Sequence, residues 1–128
     1  MTIPFWCLLI VMVFPIVLAG TGGYFRNKQL GELDNDNPRE QVKQLTGAGA
    51  RTYAAQQNAW EALALFTAAV LTAHVLNADP AMSANLACAF VAFRVLHPVC
   101  YLAGWATVRS LMFFGSLVSA IWLFTLAV

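Results

Sequence analysis

The sequence has 128 residues, of which 60% are hydrophobic and 10% are charged, and its formal net charge is +1 at pH 7. Soluble domains contain about 45 to 50% apolar and about 25% charged residues, so this composition excludes a disordered chain and argues against an ordinary soluble domain. The small net charge provides no basic surface that could bind a nucleic acid.

The charged residues are concentrated in one part of the chain. Nine of the thirteen lie between positions 26 and 51. A helix that crosses about 30 Å of hydrocarbon needs about 20 mostly apolar residues, and the segments on either side of this charged stretch are long enough to supply them. The distribution therefore predicts an integral membrane protein. The four charged residues elsewhere are Glu61, Asp79, Arg94 and Arg109.

Four apolar segments predict four membrane spans, at about residues 3–24, 46–77, 81–102 and 109–128. The alternative for the first segment is a secretory signal peptide. Such a peptide has a basic region ahead of its apolar run, and no Lys or Arg precedes Arg26. We therefore interpret the first segment as a span.

The polar connection at about residues 26–45 contains a helix start signal. Asn37 is expected to cap a helix that begins at Pro38, with Glu40 in the capping-box position, and this helix is expected to continue into the second span. After that span, the string Asn77-Ala78-Asp79-Pro80 predicts a stop and a short turn.

The connections predict both topology and orientation. The last two connections are short, so their helices should pack antiparallel, and residues 1–128 are predicted to be a single all-α domain, a four-helix up-down bundle. The first connection contains four Lys or Arg residues, the third contains Arg109, and the second contains none. By the positive-inside rule the first and third connections are cytoplasmic, and both termini lie on the opposite side.

Polar residues within the second span require an explanation, because an ionisable group at the centre of a span costs about 2.5 to 3.5 kcal/mol. At about 100° per residue, Arg51 and Asn58 lie within about 20° of each other on the helix, and Glu61 lies about 60° further round. One side of this helix therefore presents a guanidinium, an amide and a carboxylate.

The third span has a matching polar stripe, in which Arg94, His97 and Tyr101 fall within an arc of about 60°. The two stripes are expected to face each other, and two interpretations remain open. A salt bridge between Glu61 and Arg94 would serve packing alone. A polar pocket on the cytoplasmic side would instead bind a charged small molecule, and Arg51 and Arg109 would suit carboxylates on it.

The second span carries the residues of a known signature. The string Arg51-Thr52-Tyr53-Ala54-Ala55-Gln56-Gln57-Asn58-Ala59-Trp60-Glu61, followed by Ala62-Leu63-Ala64-Leu65-Phe66, closely resembles the second-helix signature of the MAPEG superfamily. These are the membrane-associated proteins in eicosanoid and glutathione metabolism. The features that look like the bacterial branch are the segment Asp34 to Glu40 together with Arg94, Tyr101, Gly104 and Arg109.

The resemblance implies a homotrimer of four-helix transmembrane subunits that binds glutathione between neighbouring subunits near the cytoplasmic face. In enzymes of that family an arginine stabilises the glutathione thiolate, which attacks an electrophile or reduces a lipid hydroperoxide. Arg109 is expected to be that arginine, and Glu61 is expected to bind the amino group of glutathione. The residues expected to contact glutathione are Arg51, Gln56, Asn58, Glu61, Arg94 and Tyr101, with no metal ion.

The leading hypothesis is a multi-pass MAPEG-type protein of the bacterial inner membrane that binds glutathione or a related thiol. The resemblance suggests a transferase or peroxidase, in which an apolar substrate arrives from the bilayer and the thiol from the cytoplasm. Glutathione-binding members commonly have arginine where this chain has Ala54, tyrosine at Ala62 and an acidic residue at Ala50. These differences favour an alternative, a non-catalytic membrane protein whose polar residues serve packing or an unknown ligand. A transporter or channel fits less well, since the sequence has no evident inverted repeat or charged pore ring.

Overall fold

The computed structural model describes residues 1–126, which form four long helices and one short helix. Each long helix overlaps one of the four predicted spans. Residues 127 and 128, at the end of the fourth predicted span, lie outside the described residues. In chain order the helices are α1 (Ile3–Leu30), α2 (Pro38–Val42), α3 (Gly47–Val75), α4 (Pro80–Ala103) and α5 (Ala106–Thr125).

Three of the helices, α1, α4 and α5, are long and apolar enough to cross a membrane. This finding agrees with the predicted integral membrane protein. Helix α3 has 29 residues but is less apolar than the other three. The polar residues responsible are Arg51, Gln56, Gln57, Asn58 and Glu61, all in its first half.

Local signals explain where α1 ends and where α4 begins. Helix α1 runs six residues past its predicted end and stops at Leu30, where Gly31 adopts a left-handed conformation with φ 84°. Helix α4 begins after Asp79, whose Oδ1 accepts a hydrogen bond from the backbone N of Met82 at 2.7 Å. The predicted stop and turn before α4 are therefore present.

The prediction that the helix starting at Pro38 continues into the second span is wrong. Helix α2 ends at Val42, and Thr46 has an extended backbone with φ −124° and ψ 166°. The Gln29 side chain accepts from Thr46 N and donates to Thr46 O, both at 3.1 Å. This pair of hydrogen bonds ties the segment before α3 to the end of α1.

The predicted cap of the short helix is also wrong. Asn37 precedes Pro38, but its side chain makes no capping hydrogen bond. Asp34 orders this turn instead, because its Oδ1 accepts from the backbone N of both Asp36 and Asn37 at 2.9 Å. An aspartate that bonds its own following backbone in this way is typical of a turn.

The long helices pack around two apolar clusters. In the larger one Phe66 of α3 stacks on Phe90 of α4, with ring centroids 4.0 Å apart, and both are buried with Leu123 of α5. The smaller cluster joins Leu18 of α1 to small residues of α3. Small residues allow membrane helices to approach closely. The buried alanines of α3 are Ala55, Ala59, Ala62, Ala69 and Ala73.

A close contact between α4 and α5 gives a stability prediction. A Cβ at Gly115 would lie 2.7 Å from the Phe93 ring, too near for a real contact. We expect Gly115→Ala to lower the free energy of unfolding by about 1 to 3 kcal/mol, because the ring must move. Thermal unfolding in detergent would measure the change. Gly20→Ala is the matched control, since a Cβ at Gly20 meets nothing within 4 Å; equal losses in both variants would contradict the prediction.

Candidate functional site

Arg94 of α4 lies at the centre of a polar contact between α3 and α4. Its side chain is 5% exposed, and its Nη2 donates to the backbone O of Asn58 at 3.0 Å and to Asn58 Oδ1 at 2.8 Å. The Nδ2 of Asn58 in turn donates to Glu61 Oε2 at 3.2 Å. The two polar stripes therefore do face each other, and Asn58 links the guanidinium to the carboxylate.

The direct salt bridge between Glu61 and Arg94, one of the two interpretations of the stripes, is not formed. Residues 1–126 contain one ion pair, on the polar connection, where Lys43 Nζ lies 2.6 Å from Glu40 Oε1. Glu61 is instead exposed on the outer surface of the helix bundle. A carboxylate exposed there can contact a group from outside the subunit while it accepts from Asn58.

His97 belongs to this site although it was not among the residues expected to contact glutathione. It is 3% exposed, its ring lies edge-on to Tyr101 with centroids 5.5 Å apart, and its Nδ1 has no hydrogen-bond partner among the described residues. A buried polar atom of this kind usually binds a ligand or an ordered water. Its position three residues after Arg94, on the same face, was the available signal.

A second group of polar residues surrounds the C-terminal end of α4. The helix ends at Ala103, and Gly104, with φ 78°, turns the chain into α5. This turn brings the Arg109 guanidinium carbon to 4.5 Å from the centroid of the Tyr101 ring. Stacking of this kind orients the cation without neutralising it.

Arg51 lies at the same end of α4 and is held by the backbone. Its Nε and Nη2 both donate to Leu102 O, at 3.3 and 3.1 Å. A cation is favourable at a helix C-terminus, where carbonyl groups lack partners within the helix. Two of its five N–H groups are therefore committed to the fold, and Arg51 stabilises the end of α4.

The site thus has two layers along α4. We call Asn58, Glu61, Arg94 and His97 the inner layer, and Arg51, Tyr101 and Arg109 the outer layer. Tyr101 follows Arg94 by seven residues, which corresponds to about 10 Å along the helix axis. A tripeptide spans at most about 10 Å between its ends, so one molecule of that size can reach both layers.

The subunit itself has almost no internal space beside the inner layer. The cavity next to Arg94 and His97 has a volume of about 10 Å³, which is about one water molecule. A ligand of tripeptide size therefore cannot enter the bundle. A site for such a ligand would have to lie on the outer surface, where Glu61 is exposed.

Gln56 is the expected site residue that the structure separates from the others. It lies two residues from Asn58, about 200° round α3, and faces a surface groove with a volume of about 310 Å³. The groove contains two cations and no carboxylate among its lining residues. Its polar and aromatic lining residues are Arg26, Arg39, Tyr53, Gln56, Gln57 and Trp60.

Comparison with known families supports the resemblance. A family model, that of the MAPEG family, matches residues 3–128, essentially the whole chain. Comparison with curated proteins and with solved structures finds no match.

Proposed function

The chain belongs to the MAPEG family, and from this premise we propose that it binds glutathione, or a similar thiol, between the subunits of a homotrimer and transfers it to apolar electrophiles. The observation that carries the proposal is the two-layer site, which is polar, open on the outer surface and nearly closed on the inside. Such a site needs a second wall, and a neighbouring subunit can supply one.

The positions of the cations support a cytoplasmic location for this site. The basic residues of the first connection and Arg109 all lie at the end of the bundle where α1 ends, α3 begins and α4 turns into α5. By the positive-inside rule this end faces the cytoplasm, where a charged thiol is available, and both termini lie on the other side of the bacterial inner membrane. Helix α3 serves as the fourth span, since its 29 residues extend over about 44 Å.

The separation of Gln56 from the inner layer supports a ring of subunits. The groove and the two-layer site lie on different faces of one subunit, so a head-to-tail arrangement brings the groove of one subunit against the layers of the next. Three subunits would close such a ring, as the family resemblance implies. In that arrangement the cations of the groove, Arg26 and Arg39, would meet the carboxylates of the thiol ligand.

Each layer has a role in the proposed reaction. In the inner layer Glu61 binds the ligand amino group, while Arg94 and Asn58 orient it. In the outer layer Arg109, held over Tyr101, stabilises the thiolate, and the thiol proton is released to water. The sulfur then forms a bond to an electrophilic carbon of the apolar substrate, and the leaving group departs with its bonding electrons.

Calorimetric titration of glutathione into the detergent-purified protein tests this proposal, together with a conjugation assay on a small aromatic electrophile. We expect binding at millimolar glutathione or below and conjugate formation above the uncatalysed rate. An absence of binding at millimolar thiol would contradict the proposal. Binding without conjugation would restrict the function to thiol binding.

One observation favours a second candidate, a non-catalytic protein whose polar residues serve packing. The guanidinium of Arg94 already has two hydrogen bonds to Asn58 within the subunit. In this second candidate the inner layer holds α3 against α4, and Glu61 is merely the end of the chain of hydrogen bonds.

Replacement of Glu61 with glutamine discriminates the two candidates. The amide oxygen of the variant can still accept from Asn58, but the charge that attracts an ammonium group is lost. We expect Glu61→Gln to weaken glutathione binding by about tenfold, equivalent to a hydrogen bond to a charged group, with little change in thermal stability. Glu40→Gln is the control, since Glu40 is exposed and pairs with Lys43. Loss of stability with unchanged affinity would favour the packing role.

A further inference from the structure

A second cavity lies at the opposite end of the bundle from the outer layer. It has a volume of about 330 Å³ and is formed where α1 begins, α3 ends and α4 begins. His74 on its wall is 23 residues from Arg51, or about 34 Å along α3. Small-molecule sites have volumes of about 300 to 1,000 Å³, so this cavity is large enough to be one and is distinct from the proposed thiol site.

The wall of the cavity is mostly apolar but includes one buried hydroxyl group without a partner. Ser83 lines the cavity and is 6% exposed, and its Oγ has no hydrogen-bond partner among the described residues. Phe5 and His74 form another part of the wall, with their rings edge to face and 5.0 Å apart. A buried hydroxyl is destabilising unless a hydrogen-bonding group reaches it.

The charges around the cavity disfavour an ionic ligand. Its lining residues include no Asp, Glu, Lys or Arg. Asp79, beside the cavity in sequence, already occupies the N-terminus of α4, where it accepts from Met82 N. A second anion at this helix terminus would be repelled by that carboxylate, and an ammonium group would find no carboxylate on the wall.

We propose that this cavity binds an uncharged amphiphile from the membrane, an alkyl chain with a hydroxyl or ester head such as a monoacylglycerol. The alkyl chain packs against Phe5, Val70 and Ala73, and an oxygen atom of the head forms a hydrogen bond with Ser83 Oγ. The cavity lies at the ends of apolar helices, where the hydrocarbon of a bilayer meets its polar surface. Both parts of such a lipid are therefore at the depth that the wall requires.

Photolabelling in phosphatidylcholine nanodiscs tests this proposal. The probe is a monoacylglycerol with a diazirine on its alkyl chain, and unlabelled monolaurin is the competitor. We expect label at Phe5, Val70 or Ala73 that excess monolaurin displaces. Label spread evenly over outward-facing residues of α1 and α5 would overturn the proposal.

Two variants sharpen the test. Ser83→Ala should weaken monolaurin binding by about 3- to 10-fold, the effect of one hydrogen bond. Ala84→Phe should fill the cavity and abolish labelling while the thermal unfolding midpoint is retained. Ser119→Ala is the matched control, because its Oγ donates to the backbone O of Gly115 at 2.8 Å.

Two comparisons could overturn the proposal. One is between the Ser83→Ala and Ser119→Ala variants, and the other is between charged and uncharged competitors. Equal binding in the Ser83→Ala and Ser119→Ala variants would overturn the role of the Ser83 hydroxyl. Equal competition by laurate, which carries a carboxylate on the same alkyl chain, would overturn the preference for an uncharged head.

Discussion

Replacing Arg109 with alanine is expected to lower kcat for glutathione conjugation by about 100- to 1,000-fold, the usual cost of removing one group that stabilises charge in a transition state. The guanidinium carbon of Arg109 lies 4.5 Å from the centroid of the Tyr101 ring. Both residues belong to the outer layer, whereas Glu61 belongs to the inner layer. The contacts with the ligand amino group would therefore survive, and we expect the Kd for glutathione to change by about threefold or less. Steady-state kinetics and calorimetric titration measure the two quantities separately.

The role assigned to Arg109 also predicts a spectroscopic signature. If the cation stabilises the thiolate, the pKa of bound glutathione should rise when Arg109 is replaced with alanine, and the thiolate absorbance at neutral pH should fall. Arg109→Lys retains the charge and should recover part of both the rate and the thiolate signal. A wild-type kcat in Arg109→Ala would remove Arg109 from the reaction, and loss of binding equal to the loss of rate would assign it to ligand binding instead.

The positions of the long helices could be predicted because hydrophobic segments and charged connections alternate along the chain. Helical periodicity alone also placed Arg94, His97 and Tyr101 on one side of α4, and the structure brings that side against α3. Both predictions depend on properties local to one helix. They require no knowledge of how far apart two helices lie.

The features that could not be predicted depend on distances between elements. Arg94 and Glu61 are linked through Asn58 and not by a direct salt bridge, which was one of the two open interpretations, because the asparagine lies between the two charges. The contact of Arg51 with Leu102 O depends on where α4 ends relative to α3. Both contacts depend on the distance between α3 and α4, which the sequence pattern of one helix does not give.

Two further differences arise where a sequence motif suggested another arrangement. A short helix does begin at Pro38, but the contact of Gln29 with Thr46 holds an extended backbone between that helix and α3. The family resemblance grouped Gln56 with Asn58, although residues two apart point in nearly opposite directions on a helix. The expected contacts with glutathione and the homotrimer stay predictions.

Arg94→Ala is expected to have the largest effect on stability, lowering the free energy of unfolding by about 2 to 4 kcal/mol. The variant loses two hydrogen bonds from a charged donor and leaves a space beside His97 in a closely packed interior. Reversible unfolding in mixed detergent micelles would measure this loss. Arg94→Lys should retain part of the stability, since one ammonium group can still reach Asn58.

A double-mutant cycle of Arg94→Ala with Asn58→Ala tests whether the hydrogen bonds between these two residues serve packing or ligand binding. Direct contact predicts a coupling free energy of about 1 to 3 kcal/mol, whereas Arg94→Ala with Asn85→Ala, an exposed asparagine of α4, should give a value near zero. If the coupling free energy between Arg94 and Asn58 is large, and saturating glutathione leaves it unchanged, the inner layer serves packing. If glutathione changes it, the same hydrogen bonds respond to the ligand, as a binding role for Arg94 and Asn58 requires.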